Sequence, residues 1–298
     1  MIQQSSPVPL VSVIISSYNH APYVEQAIQS VLDQIYPNVE LLVIDDGSTD
    51  DSVARISRLQ ERHHFDFRVQ SNKGLVATLN EAILRAKGHY IAPFGSDDIM
   101  LPERLALQVA FMQKAPKMGI CAGNVELIGP DGTPLPDKKQ KWAGARYLDF
   151  DSMFLNRQPG LHAPTLLFSR KAIEEVGGFD DSVRVEDLFI ELKIARAGYT
   201  IYVLSEVLAQ YRIHGTNTFK NRRLMIDSEL AVYRHFSDHP KYEQACRNYL
   251  NAMFVKMALE DKALARELLE KLTWRAYNMR TLKGLYRYWF KPVKERKN

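Results

Sequence analysis

Short apolar runs alternate with amphipathic stretches through the first hundred residues of the chain. Leu10-Val11-Ser12-Val13-Ile14-Ile15 is β-branched and almost wholly apolar, the pattern of a strand buried on both faces of a parallel sheet. Pro22 stands where a helix would begin, and Tyr23, Ala27, Ile28, Val31 and Leu32 then recur at helical spacing until Pro37. Val39 to Ile44 reads as a second strand, Ser52 to Arg62 as a helix and Phe65 to Gln70 as a short third strand. Val76, Leu79, Ile83 and Ala86 mark another amphipathic helix, with Gly88 at a C′ position, before a fourth strand from His89 to Phe94. This βαβαβαβ order predicts an α/β fold with a doubly wound, mostly parallel sheet and right-handed crossovers.

After Asp98 the rhythm changes. A helix is expected from Pro102 to Gln113 and a strand from Met118 to Leu127. Gly129-Pro130-Asp131-Gly132-Thr133-Pro134 is turn chemistry, best read as a plain hairpin turn. Tyr147 to Phe168 has a weak, mixed pattern that suits a loop region shaped for substrate. Glu186 to Ala197 is helical and ends at Gly198, and beyond Phe219 the pattern is helical with few strand signals. Two domains are therefore expected, an α/β domain over 1–218 and a helical C-terminal region over 219–298.

Two acidic pairs follow apolar runs: Asp45-Asp46, leading into Gly47-Ser48-Thr49-Asp50, and Asp97-Asp98. Each lies at the carboxyl end of a predicted strand, where open α/β sheets bind ligands. One pair can accept hydrogen bonds from a base or ribose, and the other can hold a hard divalent cation against phosphates. Helix capping is the competing account, and it suits Asp50 and Ser48 best. For Asp46 and Asp98 chemistry is favoured, because a buried like-charge pair is costly without a ligand or metal.

Composition narrows the class. A net charge of +4 fits anionic ligands without demanding nucleic acid. The only two cysteines, Cys121 and Cys246, have no paired spacing, which points to a reducing compartment and away from a thiolate zinc site. Met1 to Pro7 carries no basic n-region, so no signal peptide is expected, and no apolar run is long enough for a spanning helix. The expected location is cytoplasmic, with contact to the inner face of the plasma membrane left open.

Val11 to Asn19 (VSVIISSYN), Glu40 to Asp50 (ELLVIDDGSTD), Asn72 to Asp98, Gly177 to Tyr199 and Tyr211 to Asn217 (YRIHGTN) occur in an order that resembles the family 2 glycosyltransferases of GT-A fold, in particular members that build bacterial surface polysaccharides. The likeness spans about residues 9–218. It implies a Rossmann-like half that binds a nucleotide-sugar, an acceptor half, and C-terminal helices. Ser16 and Tyr18 then line a nucleobase pocket. Asp46 accepts from the imide N–H of uracil or thymine, and Asp45 supports the pocket or binds ribose. Lys73, in Asn72-Lys73-Gly74, is either a donor contact or part of a turn and cap. Asp98 ligates Mn²⁺ or Mg²⁺ with His214, Asp97 lies nearer ribose or sugar, and Arg212 meets the diphosphate. The family often has a further Asp where this chain has Gly95, so the metal site rests on Asp97 and Asp98, and metal geometry and metal dependence are left open. Asp187 is the general base by resemblance, ahead of Glu186, and implies a single displacement with inversion. His162 is a weaker candidate.

The implied activity is transfer of one sugar from a UDP- or dTDP-type donor to a glycan or lipid-linked saccharide. A processive synthase is disfavoured, since its membrane helices and Gln/Arg-x-x-Arg-Trp motif are missing from the sequence. A nucleotidyltransferase normally has a Gly-rich basic loop after the first strand, and Ser16-Ser17-Tyr18-Asn19-His20 has no glycine. A non-catalytic sugar-nucleotide-binding assembly protein is the third alternative. Homo-oligomerisation is open. At the C-terminus Trp274, Tyr277, Leu285, Tyr286, Tyr288, Trp289 and Phe290 interleave with Arg275, Arg280, Lys283, Arg287, Lys291, Lys294, Arg296 and Lys297. This segment either lies on an anionic bilayer or packs as a helix with a solvated basic face.

Overall fold

The computed structural model describes residues 8–115, 117–135, 142–215 and 221–293. Thr216, Asn217, Lys294, Arg296 and Lys297, and the N-terminal stretch Met1 to Pro7, lie outside the described residues. The first half follows the alternating pattern: β1 (Val11–Ser17), α1 (Val24–Leu32), β2 (Val39–Asp45), α2 (Ser52–His63), β3 (Asp66–Val69), α3 (Leu75–Arg85) and β4 (Tyr90–Gly95). Then come β5 (Ile99–Met100), α4 (Arg104–Met112), β6 (Met118–Ile128), β7 (Arg146–Leu148) and α5 (Phe150–Phe154). β8 (Leu167–Ser169), α6 (Arg170–Glu175), α7 (Glu186–Arg196) and β9 (Thr200–Arg212) precede four helices, α8 (Arg222–Arg234), α9 (Tyr242–Glu260), α10 (Lys262–Lys271) and α11 (Met279–Phe290).

The nine strands form one sheet in the order β3-β2-β1-β4-β8-β6-β9-β5, with β7 on β9. β1 pairs in parallel with β2 and β4, and β2 with β3. β8 is antiparallel to both β4 and β6, while β6 and β9 are parallel. It follows that β1, β2, β3, β4, β6 and β9 all run one way. The carboxyl ends of β4 and β9 therefore face the same edge, although their motifs are far apart in the chain. The antiparallel pairing of β5 with β9 sets Ile99 opposite Gln210. The core is the burial of β1, β2, β4 and β6 against α1, α2 and α4, with Val13, Ile15, Ala27, Ile28, Val43 and Ile56 inaccessible.

Four strands went unread in the sequence. β5, β7 and β8 have two or three residues each, too short for any periodicity. β9 has thirteen, but its pairing with β6 is broken by register shifts, and Ser205-Glu206 is exposed in mid-strand, so alternation is lost. Gly88 is not a C′ residue: α3 ends at Ala86 in extended conformation. Gly88 instead lets the chain press against β1, where a Cβ would come within 2.5 Å of the Ser12 amide. The hairpin-turn expectation for 129–134 agrees with the structure, since Gly129 N–H donates to Thr133 O at 2.8 Å and Leu135 N–H to Leu127 O at 3.0 Å.

Two compact units divide the chain, one holding Met1–Phe150, Gly160–Ser182 and Phe189–Asn217, the other Asp151–Pro159, Val183–Leu188 and Thr218–Asn298. The second unit thus recruits two segments that the sequence reading gave to the first. Within it Phe154 packs edge-on against Tyr233, Phe236 and His239. Asn248 also donates to Leu155 O at 2.9 Å, and Lys241 pairs with Asp151.

Candidate functional site

The loops after β1 and β2 are stitched together by side chains. Asn19 adopts φ +53°, a left-handed conformation that Asn tolerates. The turn presents successive amides to the second loop: Asn19 N–H donates to Ser48 Oγ at 2.8 Å, His20 N–H to Ser52 Oγ at 3.1 Å and Ala21 N–H to Asp50 Oδ2 at 3.0 Å. Asp50 also accepts from Ser52 N at 2.9 Å and so ties the entry to α2 to the loop after β1, although the N-cap itself is Asp51 and has no side-chain cap bond. Ser48 does not cap; it serves Asp45.

Asp45 and Asp46 hold the scaffold. Asp45 is inaccessible, and its two oxygens accept from Ser48 N at 2.8 Å and Ser48 Oγ at 2.7 Å. Asp46 is buried and accepts from Gln70 Nε2 at 2.8 Å and from the amides of Lys73 and Gly74 at 2.9 Å each. Burial pushes its carboxyl up, but these hydrogen bonds outweigh burial and leave it below the usual carboxylate range. The protein's own donors thus fix the orientation of both carboxylates. Gly47, at φ +80°, fits because a Cβ would meet Asn72 N at 2.8 Å. Lys73 Nζ pairs with Glu81 at 2.8 Å on the surface, and Tyr18 stands exposed at the sheet edge beyond Ser16.

The Asp97-Asp98 pair divides in the structure. Asp97 Oδ2 meets His214 Nε2 at 2.8 Å, and His20 Nδ1 meets Ser96 Oγ at 2.7 Å. His20, Asp97 and His214 form the one group among the described residues able to hold a metal ion, with ligand atoms all within 4.8 Å of one another. Asp98, expected as the ligand beside His214, is outside this group. It is buried, accepts from Arg212 N at 2.9 Å, and faces the guanidinium charges of Arg212 and Arg104. Burial first, then the charge of Asp97, raises its carboxyl well above the usual range. Gly95 is part of this arrangement, because a Cβ there would lie 2.8 Å from Asp97 Oδ1 and 2.9 Å from Asp98 Oδ2. The Gly95 departure therefore makes room for both carboxylates.

Arg212 is anchored within the protein. It is buried, with Nε donating to Asp97 O at 2.7 Å, one Nη to Gln26 Oε1 at 2.6 Å, and the other to the carbonyls of Gly129 and Pro130 at 3.2 Å. Its guanidinium also sits 4.9 Å from the Tyr23 ring centre. It fastens β9 to the 97–98 loop and the 129–130 turn. His20 was missed altogether: a histidine one place after Asn19 has no spacing relation to Asp97 or His214. Burial keeps its imidazole below the ordinary histidine range, which favours the neutral, ligating form.

In the second unit Glu186 and Asp187 open α7. Asp187 Oδ1 accepts from the Leu188 amide at 2.7 Å, and burial raises its carboxyl above the ordinary range. Glu186 is pushed up to about 7 by burial and by the charge of Asp187. Glu229 is raised as well, by burial and in part by Asp187. His162 lies in the first unit, lowered by burial and by Arg146, and its carbonyl accepts from Thr165.

The sequence model for glycosyl transferase family 2 matches residues 12–177. A Bacillus subtilis protein named as a teichuronic acid biosynthesis glycosyltransferase, TuaG, is 32% identical over 230 residues, covering 76% of this chain and 88% of that protein. The B. subtilis glycosyltransferase EpsE is 30% identical over 251 residues, covering 80% and 82%. Among solved structures, S. aureus TarS 1-349 in complex with UDP-GlcNAc superposes with a TM-score of 0.66 at 17% identity, over 94% of this chain and 89% of that one. The mannosyltransferase PcManGT from Pyrobaculum calidifontis, in complex with GDP-Man and Mn²⁺, gives 0.62 at 20% identity over 94% and 81%. The sheet that carries the 18–20, 46–50 and 96–98 loops is thus a GT-A sheet, and a chain that matches the family model over most of that sheet, with relatives aligned over about three quarters of its length or more, belongs to glycosyl transferase family 2 and is a glycosyltransferase.

Proposed function

We propose that this enzyme transfers one sugar, with inversion, from a UDP- or dTDP-type donor to a glycan or lipid-linked saccharide in cell-surface polysaccharide biosynthesis. The observation that carries this reading is the convergence of His20, Asp97 and His214 at the carboxyl ends of β1, β4 and β9. Two imidazoles and a carboxylate form a donor set that suits Mn²⁺ better than Mg²⁺, which prefers all-oxygen shells. The spacing of the ligand atoms also fits one ion shared among them. When bound, a divalent cation supplies positive charge against the diphosphate as it leaves. His20 can offer Nε2 while Ser96 holds its Nδ1 in place. Asp46 acts by fixing the 70–74 loop, Tyr18 is open to the donor, and Lys73 reaches it by leaving its surface pair with Glu81. Asp187 is the base: its carboxylate takes the acceptor hydroxyl's proton, the acceptor oxygen bonds to the anomeric carbon, and the bond from that carbon to the diphosphate breaks. The raised carboxyl of Glu186 favours a second reading, in which Glu186 is the base.

The name of TuaG supports the polysaccharide context, and the donors in the TarS and PcManGT structures support a nucleotide-sugar. Incubation with a panel of UDP-, dTDP- and GDP-sugars tests the reading. One uridine or thymidine donor should be hydrolysed slowly with Mn²⁺ and spared when the metal is chelated. Calorimetric Mn²⁺ uptake should vanish in Asp97→Asn and His20→Ala and persist in Asp98→Asn. Uptake lost only in Asp98→Asn would return the metal to Asp98, and hydrolysis of GDP-sugars alone would overturn the uracil or thymine assignment.

A further inference from the structure

The helix α11 docks on α9 through a narrow face. A Cβ on Gly284 would come within 2.4 Å of the Phe254 ring, the Thr281 hydroxyl donates to Asn251, and Arg287 donates to Val255 O at 3.0 Å. A capping box between Asn278 and Thr281 sets the start of the helix. At about 100° per residue, Met279, Leu282, Tyr286, Trp289 and Phe290 share a stripe about 100° wide, opposite Gly284 and Thr281. That stripe is the usual core-facing pattern of an amphipathic helix. Here it faces water, with Met279 79%, Trp289 70% and Phe290 74% exposed, and Trp274 just before the helix 75% exposed.

Arg280, Lys283 and Arg287 lie together along one flank of the stripe. Between Glu270 and Glu295 the chain has no acidic residue and seven basic ones, from Lys271 to Lys294. Basic groups stand over the rings, Arg275 at 5.2 Å from the Trp274 ring centre and Lys291 at 5.7 Å from that of Tyr286. A contiguous exposed apolar surface of this kind marks a docking site. The basic flank decides among occupants. A second copy would set like charges against like, whereas an anionic bilayer takes large aromatic and aliphatic side chains at its headgroup level and neutralises the cations beside them.

We propose that α11 and Trp274 lie in the headgroup region of a bilayer containing anionic phospholipid. On this reading the helix packs through its small residues and presents the rest. The full-length protein is sedimented with phosphatidylcholine vesicles and with mixed phosphatidylcholine–phosphatidylglycerol vesicles. Binding is expected to the mixed vesicles only, and to fall as salt is raised. Replacing Arg280 and Lys283 together by Gln should weaken it about 30-fold, at about fivefold for each cation near the surface. Trp289→Ser with Phe290→Ser should weaken it on the order of tenfold or more, with an unchanged far-UV circular dichroism spectrum because both side chains are exposed. Equal binding to both vesicle types, no binding, or binding that survives both double substitutions overturns the proposal. A dimer that the Trp289/Phe290 variant dissociates also overturns it, by assigning the stripe to a second copy.

Discussion

Glu186→Gln tests the electrostatics of the second unit. The Glu186 carboxyl rises from 4.5 to about 7 because burial disfavours its charge and Asp187 adds a like charge beside it. At 1.36 kcal/mol per pH unit the rise amounts to about 3 kcal/mol of folding free energy, an upper bound because the carboxyl keeps some access to water. The sign follows from proton binding. Between pH 4.5 and about 7 the folded protein holds a proton on Glu186 that the unfolded chain has released, so stability falls as pH rises through that window and levels off above it. Glutamine has nearly the same shape and cannot ionise. Urea denaturation followed by circular dichroism at pH 5 and at pH 8 therefore should show wild type losing more stability between the two than Glu186→Gln, by as much as about 3 kcal/mol. Other raised carboxyls, such as Glu229, contribute to both proteins and largely cancel in the difference. Parallel losses in the two proteins would refute the buried-charge account of Glu186, and a larger loss in the variant would reverse its sign.

Two further outcomes are expected. Asp187→Asn should leave donor affinity by calorimetry nearly intact and lower turnover by about a hundredfold or more; a collapse of affinity would make Asp187 a donor ligand, and normal turnover with an inactive Glu186→Gln would move the base to Glu186. Arg212→Ala should lower stability by about 3–5 kcal/mol in denaturant, because it leaves Asp98 and several buried carbonyls without their cation; a stable variant with weakened donor binding would restore Arg212 to the diphosphate.

The alternating strands and helices up to Phe94 were legible in the sequence because each buries its own periodic face, and local periodicity is what a sequence displays. The same holds for α4, α7 and the helical character beyond residue 219. The motifs likewise marked the sheet edge at which His20, Asp97 and His214 gather, since strand ends follow from strand order. What each side chain does there depends on partners that no local pattern encodes. Nothing local to Asp45 and Asp46 showed that the amides of Ser48, Lys73 and Gly74 would fold back on them. Arg212 gave no local sign that its amide would hold Asp98 and its guanidinium the Asp97 carbonyl. His20 enters the cluster only because β9 runs parallel to β4 and brings His214 to the edge where the loop after β1 already stands. Hydrophobic periodicity is a property of neighbouring residues and determined the layers. The assignment of each polar group to scaffold or to ligand is decided by contacts distant in the chain, and only the tertiary structure brings those contacts together.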